Sequence, residues 1–484
     1  PTEGALIVAA AKAGLNPTEL ASHSPRIDEI PFNSEHRLMI TAHTSHKGIS
    51  IAAKGSIEAI IKSSTSLLSG SKKIAFSQNK KDQILKEAHQ VASQGFRVLA
   101  IASGNTRQKL SLQKIPGLTF LGFVAMLDAP RPEVATAIAT AKKAGIRVKM
   151  ITGDVAPTAL AIASQLKLSQ KNESVITAQA INKMSINDFR SAVKNNSVFA
   201  EIPPQLKLKI VEELQKEGEV VAVTGDGAND APIIKRAQVG IAIGQGGADV
   251  SREVSDMVLA DNNFATIVNA IGEGRAIFTN IQRVIWYLLA TNVAEILVVA
   301  VSLFANLPLP LLPAQILWIN VVTEGTGTIG LAVEPKRSDV LNGRPRPLKE
   351  PFINKLMLTR ILLVGSMIAL IVFLLFIYTY RRTNSLEYAR SVAFTSLAIL
   401  QIINLFNARS FTRSITTSSL TNNPVLVWSA LASIFITVAT VQTQAFQSIF
   451  STTSVEILDW AIIAGASILV TITVEIHKLI GRKR

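Results

Sequence analysis

The sequence predicts a chain in three parts: a small α+β unit, an α/β unit built on a parallel sheet, and a bundle of six membrane-spanning helices. Three observations carry that reading. Apolar density rises sharply near residue 284, with six long apolar stretches after it and only short ones before. Apolar strands alternate with helical patterns between 118 and 282, as in a parallel sheet with helices on both faces. Residues 1–115 show neither feature and stand apart.

Composition agrees. Of 484 residues, 48% are hydrophobic and only 17% charged, and the mean hydropathy of +0.33 places part of the chain in lipid. There is no cysteine, which excludes disulfides, thiolate metal sites and a cysteine nucleophile. A charge of +15 comes from 49 Lys+Arg against 34 Asp+Glu. No aromatic-basic RNA motif or recognition-helix pattern accompanies it, so nucleic acid is set aside as a partner. The excess reads instead as basic residues gathered beside a lipid leaflet.

The first unit, 1–115, opens with a helical pattern at 3–14 and continues with strand-like runs at 37–43 and 49–53. Its Ser- and Lys-rich stretch at 66–82 reads as a surface loop. The second unit, 116–282, has strands at 118–127, 146–151, 197–200, 219–224 and 239–243, with helices such as 132–144 and 204–217 between them. The third, 283–484, carries the apolar stretches 284–307, 311–332, 357–379, 389–406, 424–443 and 458–480. Each is close to the roughly 20 residues that cross the hydrocarbon layer. Basic residues collect in the loop 333–356, at Arg409 and Arg413, and in the tail at Lys478, Arg482, Lys483 and Arg484. The loops near 308 and 450 have none; Arg381, Arg382 and Arg390 dissent. The positive-inside rule then predicts a multi-pass protein in the lipid bilayer whose soluble units and C-terminus are cytoplasmic.

Ligands of open parallel sheets sit beyond the carboxyl ends of the strands. Strand 146–151 ends in Thr152-Gly153-Asp154, and strand 219–223 ends in Thr224-Gly225-Asp226-Gly227-Ala228-Asn229-Asp230. Helix 204–217 carries Lys207 in its first turn. Asp226 and Asp230, four residues apart on a Gly-rich turn, suit Mg²⁺, which takes a few hard oxygens and keeps its waters. Lys207 and the Thr152 hydroxyl can neutralise the equatorial oxygens of a phosphoryl group.

These motifs resemble those of the P-type cation-transporting ATPases, whose phosphorylation domain is haloacid-dehalogenase-like. The run Gly225 to Ala231 is similar to their hinge motif, and Met150-Ile151-Thr152-Gly153-Asp154 to their Thr-Gly-Asp segment. Asp128-Ala129-Pro130-Arg131-Pro132-Glu133 resembles their Asp-Pro-Pro-Arg segment, and Lys54-Gly55-Ser56-Ile57-Glu58 their Lys-Gly-Ala-Pro-Glu. The resemblance covers essentially the whole chain. It implies ATP and Mg²⁺ as cofactors, part of a nucleotide-binding domain over 1–115 and the phosphorylation domain over 116–282. It makes Asp226 the Mg²⁺ ligand, shaped by Asn229 and Asp230, with Lys207 and the Thr152-Gly153-Asp154 loop at the transferred phosphoryl group. It puts Glu3, Phe32, Arg37, Lys54, Gly55 and Arg97 around adenine and ribose-phosphate, with Asp128 and Arg131 beside them. The Asp-Lys-Thr-Gly-Thr motif that holds the family's phosphorylated aspartate is nowhere in the sequence. Neither are the Thr-Gly-Glu actuator loop and the first four membrane helices. The expectation is a chain whose nucleophile and N-terminal portion lie outside it; a non-catalytic remnant is the alternative of another class.

Polar groups inside lipid are costly and mark functional sites. Asn292 and Glu295 are three residues apart, and Asn320, Thr323 and Glu324 fall at i, i+3 and i+4, so each set shares a helix face. Gly325, Gly327 and Gly330 follow, which suggests a helix free to unwind and offer carbonyls. Two carboxylates, two amides and a hydroxyl suit a hard cation such as Ca²⁺. The positions resemble the transport site of the calcium-pump branch. Gln401 stands where one-site calcium pumps carry glutamine, implying one cation site. Ca²⁺ is the expected cargo, with Na⁺ or another monovalent cation as the alternative.

Overall fold

The structure, a computed structural model, describes residues 2–33, 36–45, 48–94, 96–106, 117–126, 130–169, 174–347, 349–415 and 419–481; Asp128 lies outside them. The chain divides into two compact units, Pro1–Ile267 and Val268–Arg484.

The first unit opens with α1 (Thr2–Lys12) and α2 (Pro17–His23), the latter started by Pro17 and capped by Asn16, whose Oδ1 accepts from Thr18 N at 3.0 Å. Then come β1 (Arg26–Asn33), β2 (Leu38–Ser45), β3 (Gly48–Gly55), α3 (Ile57–Ser63), β4 (Ser64–Ser69), β5 (Lys72–Ala75), α4 (Gln78–Ala92), β6 (Arg97–Thr106) and β7 (Leu118–Met126). Their seven strands form one sheet in the order β1-β2-β3-β6-β7-β4-β5, antiparallel except between β4 and β7. Alternation sets its faces: Leu38, Ile40, Ile51, Ala53 and Phe120 point inward against Ile57, Ile60 and Ile61 of α3. The loop expected over 66–82 is instead the β4–β5 hairpin, turned at Gly70 (φ +59°), and the start of α4. Its serines and lysines are the polar side of an edge hairpin. The strand expected at 118–127 forms as β7, but in this sheet rather than the parallel one, because periodicity does not name a strand's partner.

The rest of the unit alternates as expected. It runs through α5 (Pro132–Lys143), β8 (Met150–Ile151), α6 (Ala156–Gln165), β9 (Ile176–Thr177), α7 (Ala178–Ile181), α8 (Ile186–Asn195), β10 (Val198–Ala200), α9 (Pro204–Lys216), β11 (Ala222–Gly225), α10 (Ala231–Arg236), β12 (Val239–Ile243), α11 (Asp249–Val254) and β13 (Met257–Leu259). Every strand pair is parallel, but in two three-stranded sheets, β8-β10-β9 and β11-β12-β13, rather than one. Among the described residues β8 pairs only with β10 and β11 only with β12. One-sided pairing leaves the apolar run 146–151 with just two residues in strand conformation. Ile151 and Val221 nevertheless share one apolar cluster with Phe199 and Ile210, and Arg147 Nη2 meets Glu219 Oε1 at 2.6 Å.

The second unit is helical. α12 (Phe264–Phe304) is followed by α13 (Pro313–Trp318), a π-helical turn at Ile319–Glu324, and α14 (Gly325–Ala332). Next come α15 (Lys355–Thr383), α16 (Leu386–Ala408), α17 (Pro424–Gln442), α18 (Gln444–Phe450) and α19 (Ile457–Gly481). Among the described residues five of these are long and apolar enough to cross a membrane. The second apolar stretch, 311–332, is helical from Pro313 to Ala332 with a π turn at Ile319–Glu324 in its middle. α16 is the inner helix, with Ala389, Ala393, Leu397, Ala398 and Leu400 fully buried. The glycines of α14 do not unwind it. A Cβ on Gly327 would lie 2.6 Å from Leu405, and one on Gly330 2.7 Å from the Cα of Leu426, so they let α14 approach α16 and α17 closely. Two of the three dissenting arginines are pinned: Arg382 Nη2 meets the buried Asp459 Oδ2 at 2.6 Å, and Arg390 Nε donates to Leu309 O at 2.9 Å.

Between α8 and α9, Arg190 Nε donates to the nearly buried Glu213 Oε1 at 2.7 Å. That hydrogen bond holds the Glu213 carboxyl below its usual range. A lowered folded-state pKa adds stability that is complete above the unfolded value of about 4.3 and is lost as pH falls through the folded value. Glu213→Gln is therefore expected to lower the melting temperature of the first unit by a few degrees at pH 7, measured calorimetrically in detergent. The gap to wild type should narrow toward pH 3.5; a constant gap would show that the ion pair is not its source.

Candidate functional site

The phosphoryl-type loops follow the carboxyl ends of β8 and β11, which belong to separate sheets. Thr152 stays within its own loop: its Oγ1 accepts from Asp154 N at 3.0 Å and donates to Asp154 Oδ2 at 3.0 Å. Its backbone extends the pairing with β10, N to Phe199 O at 2.9 Å and O from Ile202 N at 3.0 Å. After β11, Asp226 O accepts from Ala248 N at 2.9 Å, and Gly227 O accepts from Ser251 Oγ at 2.8 Å. These two bonds hold the Gly-rich turn open. Lys207 Nζ, in the first turn of α9, meets Asp230 Oδ1 at 2.9 Å, with both side chains more than four-fifths buried. Asp226 and Asn229 stand exposed. The two acids of the turn thus differ in role, Asp230 being bound to a lysine while Asp226 faces outward. Among the described residues no side-chain hydrogen bond joins Thr152 to Lys207 or Asp226.

The nucleotide-type residues are spread over α1, β1, the turn before β2, β3 and the start of β6, with Arg131 just ahead of α5. Lys54 sits in β3 between the buried Ala53 and Gly55, so it points to the opposite face, across from Met39 of β2 and Ile101 of β6. There it pairs with Glu3 from the first turn of α1. Phe32 on β1 is 62% exposed, unlike a core phenylalanine. Arg37 takes a left-handed turn at φ 52°, and its carbonyl would be 2.5 Å from a Cβ on Gly55. That position requires glycine. Arg97 is exposed at the start of β6. Arg131 is turned to another task, its Nη1 donating to Asp261 O at 3.2 Å.

In the second unit a buried polar cluster sits among apolar helices. Glu295 of α12 and Glu324 of the π turn are both 5% exposed. Gln401 of α16 donates through Nε2 to Glu295 Oε1 at 3.1 Å, and the Asn320 side chain also reaches Glu295. Thr323 is buried beside them in the chain, and the Thr291 hydroxyl reaches Glu324. Glu324 Oε1, Asn320 Oδ1 and Gln401 Oε1 are buried without a hydrogen-bond partner, a costly state in an apolar interior. The set is thus oxygen-rich, under-satisfied and confined. π turns often mark functional sites, because an i→i+5 turn is strained. Asn292 does not join this cluster: it is exposed, and its amide goes back to Leu288 O at 2.7 Å. The residue that shares the buried face with Glu295 is Thr291, one full turn away, where a three-residue offset turns Asn292 aside.

Comparison with known proteins matches these three regions separately. A family model described as P-type ATPase, cytoplasmic domain N, covers residues 1–133. One for haloacid dehalogenase-like hydrolases covers 207–271, and one for the cation transporting ATPase C-terminus covers 308–480. The chain is 37% identical over 478 residues to a calcium-transporting ATPase of Bacillus subtilis, covering 97% of this chain and 53% of that protein. The chain belongs to the P-type cation-transporting ATPases. It is also 36% identical over 492 residues to the probable cation-transporting ATPase F of Mycobacterium bovis, covering 100% and 54%. To the bovine calcium-transporting ATPase type 2C member 1 it is 36% identical over 490 residues, covering 100% and 50%. The chain spans about half the length of the curated relatives it matches.

This P-type ATPase chain is thus an integral membrane protein with a haloacid dehalogenase-like part. Several polar residues of its membrane unit escaped the sequence reading. Tyr287, Thr291 and Asn407 are all buried, and Tyr287 Oη, Asn404 Nδ2 and Asn407 Oδ1 have no partner. The signal was available in the spacing: 287, 291 and 295 fall at i, i+4 and i+8, as 401, 404 and 407 fall three apart.

Gly225 generates a test of the phosphoryl loop. A Cβ there would lie 2.5 Å from Asp230 Cβ. Gly225→Ala should displace Asp230 from Lys207 and cut the rate of phosphorylation by ATP at least tenfold in a complete pump carrying this chain. Phosphorylation at the wild-type rate, by acid-quenched labelling, would show the Lys207–Asp230 contact to be dispensable.

Proposed function

We propose that this chain forms the nucleotide-facing, phosphoryl-handling and cation-binding part of an ATP-driven pump that moves Ca²⁺ across a membrane. The observation that carries the reading is the buried cluster of Glu295, Glu324, Asn320, Thr323 and Gln401 among apolar helices. Two carboxylates with amide and hydroxyl oxygens match the hard-oxygen demand of Ca²⁺. No cysteine or histidine lies among these five. The names of the Bacillus subtilis and bovine relatives as calcium-transporting ATPases point the same way. A single cation is favoured, because Gln401 adds a neutral amide where a third carboxylate would allow a second.

ATP is assigned to the part of the seven-stranded sheet that bears Phe32, Lys54, Gly55, Arg37 and Arg97, with Phe32 free to stack on adenine. Mg²⁺ is assigned to Asp226, whose exposed carboxylate suits a hard cation, while Asp230 serves Lys207. The ion would neutralise charge on the transferred phosphoryl group. Lys207 and Thr152 supply a cation and a hydroxyl toward the same oxygens. The acceptor aspartate comes from an Asp-Lys-Thr-Gly-Thr segment not contained in this sequence. The basic-loop ends of the helices, the soluble unit and the C-terminus are placed on the cytoplasmic side.

The 484-residue chain by itself is accordingly expected to bind ATP and form no acid-stable phosphoenzyme. A hydroxylamine-sensitive label on the isolated chain would overturn the assignment of the nucleophile. In the complete pump, Asp226→Asn should lower phosphorylation by about 10²-fold or more while ATP binding persists. Glu295→Gln and Glu324→Gln should each abolish Ca²⁺-activated phosphorylation by ATP, yet leave phosphorylation from inorganic phosphate, which needs no bound cation. Wild-type Ca²⁺ affinity in either variant would sink the site. Activation by Na⁺ in place of Ca²⁺ would reassign the cargo.

A further inference from the structure

The segment that carries Asn320, Thr323 and Glu324 is tied to α16 and α17 at one buried carboxylate and to α12 through backbone carbonyls, well away from the proposed ligands themselves. Glu334, just beyond α14, is 11% exposed in its side chain. Arg409, directly after α16, grips it as a fork, with Nε and Nη2 at 3.1 and 2.9 Å from Oε1 and Nε at 3.2 Å from Oε2. Asn423, the N-cap of α17, donates through Nδ2 to Glu334 Oε2 at 2.5 Å and to Gly330 O at 2.8 Å. Asn280 of α12 closes the end of the same helix, donating to Ala332 O at 3.1 Å and Glu334 O at 2.8 Å. Its own Oδ1 accepts from Arg283 Nη1 at 2.6 Å. Asn280, Arg283, Arg409 and Asn423 are all at least nine-tenths buried.

Elsewhere α14 meets α16 and α17 through smooth contacts, Gly327 on Leu405 and Gly330 on Leu426. Such packing is non-directional and resists sliding along the axis weakly. A charge-assisted fork in a poorly solvated place is directional and specifies register. Helices transmit that register stiffly: Glu334 stands about 15 Å along the chain axis from Glu324, and Arg409 about 12 Å from Gln401. The π turn lies between the fork and the outer end of the segment, where Gln315 Nε2 donates to Phe450 O at 3.1 Å. With both ends held, Asn320, Thr323 and Glu324 have one height relative to Glu295 and Gln401.

We propose that Glu334 is a positioning residue for the cation site: through Arg409 and Asn423 its carboxylate fixes the axial register of the segment bearing Glu324 against α17 and against α16, which bears Gln401. The inference rests on reading that cluster as the cation site. A merely structural Glu334 would affect yield or maximal rate; a positioning one acts on cation affinity.

Two measurements test it. In the complete pump, Glu334→Gln should raise the half-saturating Ca²⁺ concentration about tenfold and leave the rate at saturating Ca²⁺ within twofold. Glu334→Gln combined with Arg409→Gln, which removes the unpaired buried cation, should recover part of the affinity. An unchanged half-saturation in an active Glu334→Gln pump, or a fall in maximal rate alone, overturns the proposal. The second measurement is hydrogen exchange on the 484-residue chain in detergent. Amides of Gly325–Ala332 should exchange at least tenfold faster in Glu334→Gln while those of α15 do not change; equal exchange in both proteins also overturns it. A wild-type pump that does not respond to Ca²⁺ sinks the functional reading instead, and the exchange result then decides the fork by itself.

Discussion

Two carboxylates placed among apolar helices constrain the whole second unit. An isolated acid in such surroundings carries a desolvation cost that only partners or a bound cation can offset. Glu295 meets this with the amide of Gln401, which makes α16 the inner helix and brings it against α12. Glu324 meets it less completely, with one oxygen unpartnered. The proposed cation site rests on that residual dissatisfaction. The small residues of α14 follow from the same demand, since Gly327 and Gly330 admit the close helix approach that brings the polar groups together.

The first unit obeys a different constraint, the geometry of parallel strands. Within each three-stranded sheet the parallel strands deliver their loops at one end, so Thr152-Gly153-Asp154 follows β8 and the Gly-rich turn follows β11. Lys207 reaches Asp230 because α9 leads straight into β11 and its loop. Division of labour follows from burial: the lysine-paired acid is largely enclosed and the other acid of the turn is open. Among the described residues β8 and β11 are edge strands of their sheets, and Val220, Ala222 and Thr224, which fall at i, i+2 and i+4, are exposed together.

Much of this was legible from residue order. Local signals with a fixed period or a fixed chemistry survive in any context: long apolar runs, Thr-Gly-Asp at strand ends, and carboxylates inside lipid-length helices. Glu295, Glu324 and Gln401 were readable as one site because each interrupts an apolar stretch. What could not be read were relations between elements. Ser- and Lys-rich residues 66–82 look like a loop but pair as a hairpin, and 118–127 reads as a strand without saying which sheet receives it.

By itself, the sequence determined the membrane half, the alternating α/β half, the motif loops and the family, because these rest on composition, periodicity and short-range spacing. Only the tertiary structure decided that Asn292 turns away while Thr291 turns in, and that the second apolar stretch carries a π turn in its middle. It alone revealed that Glu334, Arg409, Asn423 and Asn280 meet in one buried knot. These are contacts between residues up to 93 positions apart (Gly330 to Asn423), whose existence depends on how helices pack. No periodicity along one helix encodes the register of its neighbours.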